Sequence, residues 1–163
     1  MARQDVIFLS VLIAAITIVA SAEDCQYTIS IQTGTRKNSG TDSKIGVLLG
    51  DKDVHIQIMD LVSWGGTTPG LDYFENGDLD TFNGTAECVP NPVCFMTLFS
   101  DNSGNKPGWY PEYVNVTMSK IGTWSTHQFT VQQWLALSEE PYKIFAKRDD
   151  CPSGIQSLES MNP

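Results

Sequence analysis

Oxygen-bearing side chains gather in one short stretch, Asp101-Asn102-Ser103-Gly104-Asn105. Carboxylate, amide and backbone oxygens on a turn-forming loop are the hard donors that calcium takes, six to eight at a time. Two amphipathic rings, Trp109 and Tyr110, follow at once behind Pro107-Gly108. The stretch reads in two ways. It is a structural loop whose Trp plugs one end of a β-core, or it is a site where loop oxygens bind a cation and the rings touch a ligand or bilayer. Trp64, on the long loop 63–72, is a third ring suited to a boundary between wet and apolar phases. Trp124 and Trp134 read as core or boundary residues. Catalytic patterns are missing: the chain has no nucleophile elbow, no P-loop, no dinucleotide-binding glycine pattern and no H-E-x-x-H. His55 and His127, the two histidines, read as surface or boundary residues. Asp78 with Asp80, and Glu139 with Glu140, could do acid–base work, but exposed turn charges account for both pairs. A non-enzymatic protein is expected.

Four cysteines, Cys25, Cys88, Cys94 and Cys151, bear on the compartment. Their even count reads as disulfides in an oxidising environment. A zinc site would want a Cys-x-x-Cys pair, and there is none. Three pairings are open. Cys88 and Cys94 flank the turn-rich Val89-Pro90-Asn91-Pro92-Val93, Cys25 opens the first strand and Cys151 closes the last. The expected links are therefore Cys88–Cys94 and Cys25–Cys151. Residues 1–22 support the same compartment, with Arg3, an apolar run over 6–19 and Ala20-Ser21-Ala22. This is the pattern of a secretory signal peptide cleaved after Ala22, and the run is shorter than the ~20 residues a membrane span needs. Asn83-Gly84-Thr85 and Asn115-Val116-Thr117 are sequons, so Asn83 and Asn115 are expected glycan acceptors. The chain carries a formal net charge of −9. That charge repels nucleic-acid phosphates and anionic lipid, so membrane contact would need rings, a bridging cation, or both.

The elements that must position these residues are strands. Tyr27, Ile29 and Ile31 alternate with Thr28, Ser30 and Gln32; Ile45, Val47 and Leu49 form the next apolar face, Ile56 and Ile58 continue beyond a tight turn, and Val114, Val116 and Met118 alternate with Tyr113, Asn115 and Thr117. Apolar residues over 93–99, Phe129 with Val131, and Ile144 with Ala146 continue the pattern. Period-two alternation with frequent turn signals predicts about eight strands in an all-β sandwich. A short helix is allowed between Leu135 and Glu140. The expected organisation is a signal peptide (1–22), one domain (23–151) and a disordered tail (152–163).

Four blocks, in order along the chain, carry a resemblance. They are Gly40-Thr41-Asp42-Ser43-Lys44-Ile45, then Phe74-Glu75-Asn76-Gly77-Asp78-Leu79-Asp80-Thr81-Phe82, then Asp101-Asn102-Ser103-Gly104 with Pro107-Gly108-Trp109-Tyr110, and finally Trp134-Leu135. Together they resemble the signature blocks of the PLAT domain. The resemblance implies a β-sandwich of two four-stranded antiparallel sheets, of the kind that serves lipoxygenases and lipases in docking. With the leader and four cysteines, the chain is similar to plant stand-alone PLAT proteins of the stress-responsive type. That implies a role in abiotic stress tolerance and growth, and residence in the endoplasmic reticulum or along the secretory route. It implies a lipid or membrane surface as partner, with a protein partner as the alternative. It also implies a calcium site at Asn38, the Gly40 carbonyl, the Asp101 carboxylate and the Asn102 backbone, with Asp42, Asp78 and Asp80 nearby. Asn38 stands where calcium-binding relatives carry Asp, so the implied site is weak. Trp64, Trp109 and Tyr110 are the expected contact rings for either partner, because rings at loop tips suit interfaces between wet and apolar phases.

Overall fold

A computed structural model describes residues 23–153. The expected leader, and all but the start of the expected tail, lie outside the described residues. Eight strands run in chain order: β1 (Asp24–Thr33), β2 (Ile45–Gly50), β3 (His55–Ile58), β4 (Leu79–Glu87), β5 (Phe95–Ser100), β6 (Pro111–Lys120), β7 (Thr123–Thr130) and β8 (Phe145–Asp149). They form two four-stranded antiparallel sheets, ordered β4-β1-β6-β7 and β3-β2-β5-β8. Alternation decides which side chains face inward. Tyr27, Ile29 and Ile31 of β1 meet Ile45, Val47 and Leu49 of β2, Met96 and Leu98 of β5, Val114 and Val116 of β6, and Phe129 of β7 in one core. Burying each such side chain is worth about 1.5–3 kcal/mol, and strands this short depend on that sum.

Strand direction gives the sandwich two poles. One, the loop pole, gathers the connections 34–44, 59–78, 101–110 and 131–144. The opposite hairpin pole holds the β2–β3 turn, the 88–94 connection, the β6–β7 turn, the start of β1 and the end of β8. A helix stands where the sequence suggests loop: α1 (Leu61–Gly65), capped by Asp60, whose carboxylate accepts from the Ser63 N–H at 3.1 Å. Five residues are too few to show a helical period. Leu135 forms a β-bridge and residues 136–140 form bends and turns instead of the allowed helix.

The disulfides differ from expectation. Cys25 bonds Cys88 and Cys94 bonds Cys151, with Cα separations of 4.9 and 4.8 Å. The reason lies in the pairing. Cys88 begins the connection out of β4 beside β1, where its N–H donates to the Glu23 carbonyl. Cys94 enters β5 beside β8, and its carbonyl accepts from the Asp150 N–H. The 88–94 segment crosses from one sheet to the other, so each cysteine meets a neighbouring strand end and not its companion across the turn.

Candidate functional site

The loop pole is where the Gly40-Thr41-Asp42 and Asp101-Asn102-Ser103-Gly104 segments meet. The Thr41 hydroxyl donates to the Lys106 carbonyl at 2.9 Å, the Ser43 hydroxyl to the Ser103 carbonyl at 2.7 Å, and the Asp42 N–H to the Lys106 carbonyl at 3.2 Å. Asp101 Oδ1 accepts from the N–H groups of Ser103 (2.9 Å) and Lys44 (3.1 Å). The Ser103 side chain lowers the Asp101 carboxyl below its ordinary range; burial opposes this, while both N–H groups and the Lys44 charge add to it. Asn102 takes a left-handed φ of 57° and donates its N–H to the Ser100 hydroxyl.

Asn38 has other surroundings. It lines a groove of about 380 Å³ with Lys37, Lys106, Trp134 and Glu139, and two ammonium groups against one carboxylate do not attract a cation. A second groove, of about 280 Å³, is lined by Asp42, Asp60 and Asp72 together with Lys44, Val62 and Leu71. Among the described residues no group of three or more His, Cys, Asp or Glu side chains converges as a metal-ligand set. Asp80 is spoken for: its buried Oδ2 accepts from the Phe74 N–H at 2.7 Å.

The three rings expected at the surface are not free tips. Trp109 is fully buried; its indole N–H donates to the Thr33 hydroxyl at 3.0 Å and its ring packs edge-on to Phe74. A short antiparallel bridge to Leu135 draws Trp109 across the end of the sandwich. Tyr110 is buried beneath Arg36, whose guanidinium sits 4.1 Å from the ring centroid. Trp64, on α1, lies flat on β4, where a Cβ on Gly84 would come within 2.5 Å of its ring; its N–H donates to the Thr85 carbonyl. These rings fix the loops to the core because a Trp or Tyr at a loop root can bury its body and still find a partner for its polar atom. Sequence reasoning missed the apolar residues that are exposed. Met59, Val62, Leu71, Leu137 and Tyr142 are exposed on loop-pole connections, and Ile121 and Trp124 at the hairpin pole. Strand parity could have found Trp124: Phe129 faces inward, so even-numbered β7 residues face out.

The remaining candidates fall elsewhere. Exposed His55 packs edge-on to Phe95, and His127 Nε2 lies 3.0 Å from Asp150 Oδ2. Neither histidine has a cysteine thiol to activate, since all four cysteines are in disulfides. Asn83 and Asn115 both occupy the outward face of the β4-β1-β6-β7 sheet. Asn83 Oδ1 accepts from the Thr28 hydroxyl, and Asn115 Oδ1 is buried without a partner.

The PLAT/LH2 domain model matches residues 27–145. The chain belongs to the PLAT family. PLAT domain-containing protein 2 of Arabidopsis thaliana is 44% identical over 96% of this chain and 90% of its own length. PLAT domain-containing protein 1 of the same plant is 43% identical over 93% and 88%. A more distant PLAT relative, human lipoxygenase homology domain-containing protein 1, is 31% identical over 72% of this chain and 5% of its own. Among solved structures, coral 8R-lipoxygenase, described as calcium-activated via a C2-like domain, superposes with a TM-score of 0.58 at 17% identity, over 76% of this chain and 16% of the enzyme. A calcium-dependent 11R-lipoxygenase gives a TM-score of 0.53 at 19% identity, over 77% and 17%. At those identities the likeness is one of fold, and it places this PLAT chain on a small part of each enzyme.

Proposed function

We propose that this PLAT domain is a non-enzymatic module of the secretory route, in the endoplasmic reticulum or outside the cell, that docks on lipid surfaces with weak help from calcium and promotes abiotic stress tolerance and growth. The observation that carries the lipid reading is the loop-pole groove, where Asp42, Asp60 and Asp72 stand beside the exposed apolar side chains of Val62 and Leu71. Carboxylates that repel an anionic surface and apolar groups that favour it work together only when a cation lies between. Calcium would be held by the Asp101 carboxylate and neighbouring backbone oxygens, with Asn38 contributing little. It would supply charge neutralisation and no covalent chemistry.

The test is co-sedimentation with mixed phosphatidylcholine–phosphatidylglycerol vesicles, with millimolar calcium or with chelator. Calcium-dependent binding that falls in Asp101→Ala and in Leu71→Ser supports the reading; binding indifferent to calcium and to both changes sinks it. A second reading, docking on a protein partner, is favoured by Leu137 and Tyr142, exposed beside Glu139 and Glu140 on a connection of their own. Absence of vesicle binding, with a specific protein retained by the parent and lost in Leu137→Ser/Tyr142→Ser, would favour it. The stress role predicts poorer growth under salt in plants lacking the protein.

A further inference from the structure

The β6–β7 hairpin exposes large apolar side chains at its tip. Lys120 pairs with Thr123, so Ile121 and Gly122 form a two-residue turn, with Gly122 at a φ of 78°. Gly122 supplies the positive φ, so the first position takes an ordinary backbone and asks for no particular side chain. A branched aliphatic stands there all the same: Ile121 is 99% exposed. Three residues on, Trp124 is 77% exposed. Neither side chain gains from the fold, and large apolar side chains exposed together, unlike one scattered alone, mark an interaction surface.

We propose that this hairpin is a calcium-independent membrane tip that seats Ile121 and Trp124 in the interface of a bilayer with zwitterionic choline headgroups. Two observations support the occupant. The first is charge. Trp124 shares a groove of about 460 Å³ with Glu23, Glu87, Lys120, Met118 and Pro90. Lys120 is paired with Glu23. Asp24 and Glu87 are register partners on neighbouring strands, a like-charge opposition that costs stability. Glu87 lines the groove without an ion pair among the described residues, and a carboxylate beside an open indole repels anionic lipid. The two together suit a quaternary ammonium, which aromatic faces bind through cation–π attraction.

The second observation is the side chains themselves. An indole belongs at headgroup level and a branched aliphatic below it. The tip lies at the opposite pole from Asp101 and does not depend on the calcium reading.

The experiment uses protein beginning at Glu23, which keeps every core residue. Binding to dioleoylphosphatidylcholine vesicles and to dioleoylphosphatidylglycerol vesicles is measured in chelator, for the parent and for Ile121→Ser/Trp124→Ser. The expected result is binding to the choline vesicles, at least tenfold weaker binding to the glycerol vesicles, and at least a tenfold loss in the double variant at unchanged melting temperature. Failure to bind choline vesicles, equal binding by the double variant, or preference for the anionic vesicles would overturn it. Loss of calcium-dependent binding in Asp101→Ala leaves this result untouched, so the two proposals fail separately. A Trp124→Phe control keeps an interfacial ring and is expected to bind within a few-fold of the parent.

Discussion

Replacing Trp109 by alanine separates a core tryptophan from a surface one. Trp109 is fully buried, stacked edge-on to Phe74 with ring centroids 5.2 Å apart, and bonded to Thr33. Truncating a buried Trp costs about 3–5 kcal/mol in transfer and cavity terms. The orphaned Thr33 hydroxyl, itself fully buried, adds about 1 kcal/mol or more. For a domain of this size each kcal/mol moves the melting temperature by about 2–4 °C. Trp109→Ala should therefore melt on the order of 10 °C lower, by differential scanning calorimetry under non-reducing conditions. Trp109→Phe keeps most of the packing and loses the hydrogen bond, so a drop of only a few degrees is expected. A Trp109→Ala protein that melts within about 2 °C of the parent, yet loses vesicle binding, would refute the argument and return the ring to the surface.

Non-reducing peptide mapping should recover Cys25 joined to Cys88 and Cys94 joined to Cys151. Removing either pair as a double Cys→Ser variant should cost up to about 4 kcal/mol, the chain-entropy value for separations of 63 and 57 residues. Two carboxyls should respond to acid with opposite sign. Burial pushes Asp51 up, but hydrogen bonds from Val54, Asp53 and Asn91 outweigh it and hold its carboxyl below 3.8. Its stabilisation is therefore present above about pH 4 and lost as pH falls through the lowered value, and Asp51→Asn should flatten the acid limb of a melting-temperature profile. Asp80 is raised above 3.8, first by burial and also by Asp78 and Glu75, against the Phe74 N–H. Its fold takes up a proton more readily than the unfolded chain. Any advantage of Asp80→Asn should thus be greatest near neutral pH and shrink as pH falls; a constant difference would refute it.

Much of the sandwich was legible because alternation is a local signal. Ile29 and Val116 announce their faces within five residues, and the register between them follows from burying both. The cysteines were not legible, because nearness along the chain between Cys88 and Cys94 says nothing about which sheet each one enters. The rings failed for a related reason. Trp109 and Trp124 both sit beside turns, and only the bridge to Leu135 and the parity of β7 tell which goes in. The surroundings of Asn38 were not legible, since Lys106 and Glu139 join it in one groove only through the folded loops.

The disulfide pairing has a mechanical consequence. Tension applied to the two ends of the fold enters at Cys25 and Cys151. It passes from Cys25 to Cys88, along Val89-Pro90-Asn91-Pro92-Val93, and from Cys94 to Cys151. The covalent path is closed through five residues, and the rest of the sandwich hangs from it as two unloaded loops, 26–87 and 95–150. A pull on the termini therefore stretches a short proline-containing strap and leaves the strands unstressed. Reduction reroutes the same force through the strands, from β1 to β8.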